Sequence, residues 1–152
     1  MRLLFSWLKN IVNFFQTPKK VASFIEPKNH QEHRNMVVAE VIKYSKHPNA
    51  DRLRVVELNI GNSIVAPVVC GAFNFEVGDK VILALPGAEI PHNQHDPEGK
   101  AFVLTKATIR GIESQGMICS GLELGLSDDG NGIMVLKNGE QLLGQTFNSK
   151  MT

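Results

Sequence analysis

Between Met36 and Leu136 the apolar residues come in short runs bounded by Gly, Pro, Asn or Asp. The runs are Met36–Ser45, Arg52–Ile60, Pro67–Cys70, Lys80–Leu85, Phe102–Arg110 and Gly116–Cys119. A double turn signal, Asp129-Gly130-Asn131-Gly132, then precedes Ile133–Leu136. Such runs read as β-strands, and their spacing is not that of βαβ units, so a parallel crossover sheet is excluded. Within Arg52–Ile60 the alternation slips phase: Leu53 and Val55 point one way, then Val56, Leu58 and Ile60 do. A bulge at Val55-Val56 would keep both sets in a core, and bulges are how a small barrel bends its strands. The expectation is a mainly β fold, a five-stranded OB-fold barrel, closed because closure removes exposed sheet edges.

The start of the chain has another texture. Trp7, Leu8, Ile11, Val12, Phe14 and Phe15 recur at helical spacing, with Lys9, Asn10 and Asn13 opposite. Ser6 is placed to cap that helix, and Thr17-Pro18 restarts a second one. Residues 1–35 are therefore read as a helical arm and linker, 36–147 as the barrel domain, and 148–152 as a tail. Leu3-Leu4-Phe5 follows Arg2, but Lys9, Asn10 and Asn13 interrupt the run and no small-residue cleavage site follows. The run falls far short of the roughly 20 apolar residues that span a bilayer, so no membrane partner is expected.

Charge narrows the function classes. The whole chain has 16 Lys plus Arg against 15 Asp plus Glu, a net +1, which excludes gripping nucleic acid by bulk charge. The arm (1–35) is net +4, residues 36–136 carry eight basic and twelve acidic residues for −4, and 137–152 are +1. Any nucleic-acid role of the barrel must rest on a local basic face. Cys70 and Cys119 lie far apart in apolar contexts, the pattern of two reduced, buried thiols in a cytoplasmic protein.

Enzyme signatures are absent. Val69-Cys70-Gly71-Ala72 lacks the Gly and Lys spacing of a phosphate loop, and Cys70 has no recognisable His partner. The pairs His30/His33 and His92/His95 sit in loop-like sequence without nearby Cys and read as solvated histidines. Asp128-Asp129-Gly130 lacks calcium-loop spacing and reads as a turn. No catalytic residue, metal or cofactor is expected. What remains is a basic pattern. Arg52 and Arg54 alternate with Leu53 and Val55 and share one outward face; Lys106, Thr108 and Arg110 alternate with Ala107 and Ile109 and share another. Lys43, Lys46 and His47 lead into Arg52 across the first loop. Brought together, these strands make a groove able to follow a phosphate backbone; scattered, the same side chains merely solubilise a barrel. Aromatics for stacking are few, Tyr44 with Phe73 and Phe75 on a loop, which favours reading backbone and shape over sequence.

Two longer motifs add a resemblance. His47-Pro48-Asn49-Ala50-Asp51-Arg52-Leu53, followed by Val69-Cys70-Gly71-Ala72-x-Asn74, resembles the tRNA-binding OB domain shared by several aminoacyl-tRNA synthetases. The stretch from Lys106 through Ile109-Arg110-Gly111, Ser114-x-Gly116-Met117 and Ile118-Cys119-Ser120 to Glu123-Leu124-Gly125-Leu126 is similar to the same family. In detail it is nearest the N-terminal region of the bacterial phenylalanyl-tRNA synthetase β subunit, whose start Ser6-Trp7-Leu8-Lys9 also resembles. The resemblance implies a non-catalytic tRNA-binding module in which Ser114 and Met117 contact tRNA and His47 and Asn49 belong to the loop motif. Candidate RNA-binding residues are thus Lys43, Lys46, His47, Asn49, Arg52, Arg54, Lys106, Arg110, Ser114 and Met117.

Partners implied are tRNA and a synthetase α subunit or the remainder of the β subunit. The resemblance implies that the parts of that subunit that bind the catalytic module, edit mischarged tRNA and clasp the anticodon are not in this sequence. Since the family's α subunit carries the aminoacylation site, this chain is not expected to catalyse that reaction by itself. Phe73 departs from the family, which usually has Pro there, and the family's Gly-Leu-Glu-Val-Glu-like strand is not visible between Ile25 and Met36. Two rivals stay open: a free-standing tRNA-binding protein, able to form a homodimer, and a structural or assembly OB domain with little RNA affinity.

Overall fold

A computed structural model describes residues 33–137 and 142–152; the expected helical arm lies outside the described residues. The strands run β1 (Met36–His47), β2 (Ala50–Asn59), β3 (Ile64–Cys70), β4 (Lys80–Ala84), β5 (Glu89–Ile90), β6 (Phe102–Val103), β7 (Ala107–Ile109), β8 (Ile112–Ser114), β9 (Met117–Ile118) and β10 (Val135–Leu136). The described part is mainly β, with one 3-10 turn at Ser149–Met151 capped by the Asn148 side chain. One six-stranded antiparallel sheet has the order β10-β4-β1-β2-β3, with β9 also on β4, and β5-β6 and β7-β8 form separate ribbons.

Alternation on β1 and β4 builds two cores, one on each face. Met36 and Val38 meet Ile82 and Ala84, and are covered by Leu104, Cys119, Leu124 and Phe147. Ala39 and Val41 meet Val81 and Leu83, and are covered by Val56, Leu58, Val68 and Phe75. Both faces being buried explains why Val81–Ala84 reads as an unbroken apolar run. Met36–Val38, which β2 does not reach, is edged instead by 144–147: Val38 N–H donates to Gln145 O at 3.0 Å and Phe147 N–H to Met36 O at 2.8 Å. Gly144 (φ +76°) is required here, because any Cβ would collide with the Ile60 carbonyl.

Four expectations are corrected. The bulge is not at Val55-Val56. Val41 pairs with Leu58 and Lys43 with Glu57, which leaves Ile42 over on β1. Val56 pairs with Val68 and Leu58 with Val65, which leaves the extra residue at Ala66-Pro67 on β3. The neighbours of β2 therefore carry the bends, and Val55 is left half-buried. Second, Phe102–Arg110 is not one strand: Phe102-Val103 pairs with β5, Ala107–Ile109 with β8. Third, Arg110 (φ 50°) and Gly111 (φ 92°) form the β7–β8 turn, so Arg110 does not share a strand face with Lys106 and Thr108.

Fourth, the sheets are not closed into a five-stranded barrel; no ladder joins β3 to another strand across the seam among the described residues. Pro67 has no N–H to give a ladder. Its carbonyl accepts Gln115 N–H at 2.9 Å, while Val69 N–H donates to the Ser114 hydroxyl at 3.0 Å. Single bonds to the β8–β9 corner do the work of a strand at this edge.

Candidate nucleic-acid interface

The two family-like motifs meet at one corner. Pro48-Asn49 turns β1 into β2, and this turn docks on the β7–β8 hairpin. His47 is fully buried beneath it. Its Nδ1 accepts the Asn49 N–H at 3.0 Å, which leaves the proton on Nε2 to donate to the Ile109 carbonyl at 3.1 Å. Asn49 Nδ2 donates to the Arg110 carbonyl at 3.3 Å. His47 and Asn49 therefore hold the turn in place, and the exposed Arg110 is presented from it.

The other candidate cations differ in how firmly they are engaged. Lys43 pairs with Glu57 at 3.3 Å, Lys46 with Asp51 at 2.6 Å, and Lys106 with Glu113 at 3.8 Å, all on open surface. Exposed pairs of this kind are worth about 0–1 kcal/mol, so a phosphate can replace the carboxylate at little cost. Arg52 and Arg110 side chains have no ion pair or hydrogen bond among the described residues. Arg52 lies in a three-residue irregularity: Lys46 pairs with Arg54 but His47 with Ala50, so strand alternation does not run through Asp51–Leu53.

Arg54 is used otherwise. It is half-buried, its Nη1 donates to the Phe75 carbonyl at 3.1 Å, and its guanidinium lies over the Tyr44, Phe73 and Phe75 rings at 4.3, 4.8 and 5.1 Å. Tyr44 O–H donates to Glu76 at 2.6 Å, and that bond holds the phenol proton, raising its pKa. The hairpin register makes Tyr44 and Arg54 diagonal neighbours on one face, within reach of such side chains.

Ser114 and Met117 sit inward of this surface. Ser114 is buried, and its hydroxyl both accepts from Val69 N–H and donates to the Gly116 carbonyl at 2.7 Å. Met117 is half-buried and lines a cavity of about 540 Å³ together with Leu53, Ile109, Ser114 and Ile133. Cys70 and Cys119 are free and buried, and burial pushes both thiols up in pKa. Glu123 accepts from Ser120 N–H at 2.8 Å while Ser120 Oγ accepts Glu123 N–H at 3.2 Å, a reciprocal cap on a helical turn rather than a catalytic pair. Among the described residues no group of three or more His, Cys, Asp or Glu is placed to hold a metal. No helix among them is long and apolar enough to cross a membrane.

Asn74 belongs to the first family-like motif, but its role could not be read from sequence: its amide donates to the Ile133 carbonyl at 2.9 Å and accepts Ile133 N–H at 3.0 Å. Reasoning from sequence missed Glu76 and Asp79 as supports of the same loop. It singled out Phe73, Asn74 and Phe75 there, but the bonds that tie the loop reach distant segments, Tyr44 and Ile133, which no local window contains.

Residues 36–144 match the family described as "Putative tRNA binding domain". Among curated proteins, the chain is 36% identical over 148 residues to the phenylalanine–tRNA ligase beta subunit of Bdellovibrio bacteriovorus, covering 90% of this chain and 17% of that subunit. It is 45% identical over 102 residues to the same subunit of Dechloromonas aromatica, covering 67% of this chain and 12% of that one. The chain thus spans under a fifth of the length of these relatives. A solved structure, a MetRS related protein from Pyrococcus horikoshii, is similar at a TM-score of 0.48 with 21% identity, over 72% of this chain and 84% of that one.

Proposed function

The chain belongs to the tRNA-binding domain family, and on that premise we propose that it is the non-catalytic tRNA-holding module of a phenylalanine–tRNA ligase beta subunit. The observation that carries this reading is the corner at which His47 and Asn49 fix the first turn onto Ile109-Arg110. It orders the backbone beneath Arg52 and Arg110, whose side chains are left without partners among the described residues. These two and the exchangeable Lys43, Lys46 and Lys106 take phosphates. His47, Asn49 and Ser114 position that surface from within, and Met117 offers apolar contact from the lining of the cavity. The neighbours in a full assembly are an α subunit or the rest of the β subunit. Two buried free thiols suit a reducing compartment, the cytoplasm.

Titrating tRNA with the chain at several salt concentrations tests this. With about five phosphate contacts the log–log slope is near −3.5 to −4.5, at roughly −0.7 to −0.9 per contact. Absence of binding even at low salt overturns the proposal and favours the rival structural role, which the −4 charge of residues 36–136 supports.

A further inference from the structure

We propose that Phe73, stacked on Arg54, is a docking platform for one unpaired nucleobase of the bound RNA. The inference rests on the tRNA-binding reading and adds a kind of contact that phosphate-directed cations do not make. Phe73 is 51% exposed, an unusual state for a large apolar ring, and the Arg54 guanidinium lies over the ring at 4.8 Å. One face of the ring is thus backed by a cation while half of the side chain stays open to solvent. Arg54 is itself held from below by the Phe75 carbonyl and flanked by the Tyr44 and Phe75 rings. Tyr44 and Phe75 meet edge to face at 5.6 Å.

The loop that presents Phe73 is tied immediately after the ring. Asn74 makes two bonds to Ile133, Glu76 N–H donates to Asp79 at 2.8 Å, and Glu76 is engaged by Tyr44. A flat ring on a tied loop needs little ordering when a ligand arrives. Every nucleobase has a π-face, and stacking on an aromatic side chain tolerates any base. The guanidinium beneath adds attraction for the phosphates that accompany the base. An apolar protein partner is a less fitting occupant, since the platform is a single ring set on a half-buried cation rather than a groove.

The test compares Phe73→Ala, Phe73→Leu and Phe73→Trp in the full chain, with tRNA binding followed by anisotropy at several salt concentrations and folding followed by circular dichroism. Stacking predicts that Phe73→Ala and Phe73→Leu weaken binding about 5- to 100-fold with an unchanged salt slope, while Phe73→Trp binds at least as well as the parent. In a Trp7→Phe background, the Phe73→Trp indole should also be quenched on tRNA binding, a readout that does not depend on the alanine variant folding. Unchanged tRNA affinity in Phe73→Ala, with no quenching at position 73, overturns the platform and leaves the tRNA-binding role standing. A parent chain that binds no tRNA removes both. A loss of affinity accompanied by a flatter slope also overturns it, because Phe73 would then act only by holding the Arg54 charge.

Discussion

Replacing Ser114 by Ala separates a residue that touches RNA from one that ties down the free edge of β3. The hydroxyl is buried, accepts the Val69 N–H at 3.0 Å and donates to the Gly116 carbonyl at 2.7 Å. Ala removes both bonds and leaves the Val69 N–H, in a residue only 7% exposed, without an acceptor. An unsatisfied buried donor costs about 1–3 kcal/mol, and the lost Gly116 bond about another 0.5–1 kcal/mol, so roughly 1.5–4 kcal/mol is expected. At about 2–4 °C per kcal/mol for a chain of this size, that lowers Tm by about 3–16 °C. Thermal and urea unfolding of parent, Ser114→Ala and Ser114→Thr give the stability, and tRNA titration well below the variant's Tm gives the affinity. Ser114→Thr keeps the hydroxyl and should recover part of the loss. Unchanged stability together with a sharp fall in tRNA affinity would refute the seam and make Ser114 a direct contact.

His33 packs on the Phe147 ring at 5.0 Å, its Nδ1 has no hydrogen-bond partner among the described residues, and burial lowers its pKa below the ordinary 6.5. The folded state therefore binds fewer protons than the unfolded one: its stability is full above about pH 6.5 and is lost as pH falls through the lowered value. The urea midpoint of the parent should drop more between pH 7.5 and 5 than that of His33→Gln, and equal drops would count against this. Cys70 and Cys119, with thiols raised by burial, should alkylate slowly in native protein at pH 8 and quickly in denaturant; fast native labelling of both would contradict the packing.

Local pattern revealed the strands that build the core, because β1 and β4 bury alternate residues on both faces and turn residues mark their ends. It failed where tertiary pairing decides. Lys106 to Arg110 alternates like a strand surface, yet the positive φ of Arg110-Gly111 turns the chain there. The phase slip on β2 was legible, but its cause lies in the adjoining strands, at Ile42 and Ala66-Pro67, which no window on β2 contains. Of the candidate site, the corner joining His47 to Ile109 and Asn49 to Arg110 follows from two motifs 61–62 residues apart, linked only through family resemblance. Arg54 reads as an outward cation by alternation alone; its turn toward Tyr44 and Phe73 needs the hairpin register. Ser114 and His47 are polar residues whose burial depends on contacts with segments more than 40 residues away.

The proposed holding of tRNA by an ordered corner, through cations freed for phosphate, is read most directly from the salt dependence of tRNA affinity in the parent and in Arg52→Gln/Arg110→Gln. Both side chains are exposed and unpaired among the described residues, so the double variant should fold as the parent does. Two contacts at roughly 0.7–0.9 each predict a slope flatter by about 1.4–1.8, with weaker binding at every salt concentration. A double variant that binds tRNA with the parent's affinity and slope would contradict the claim.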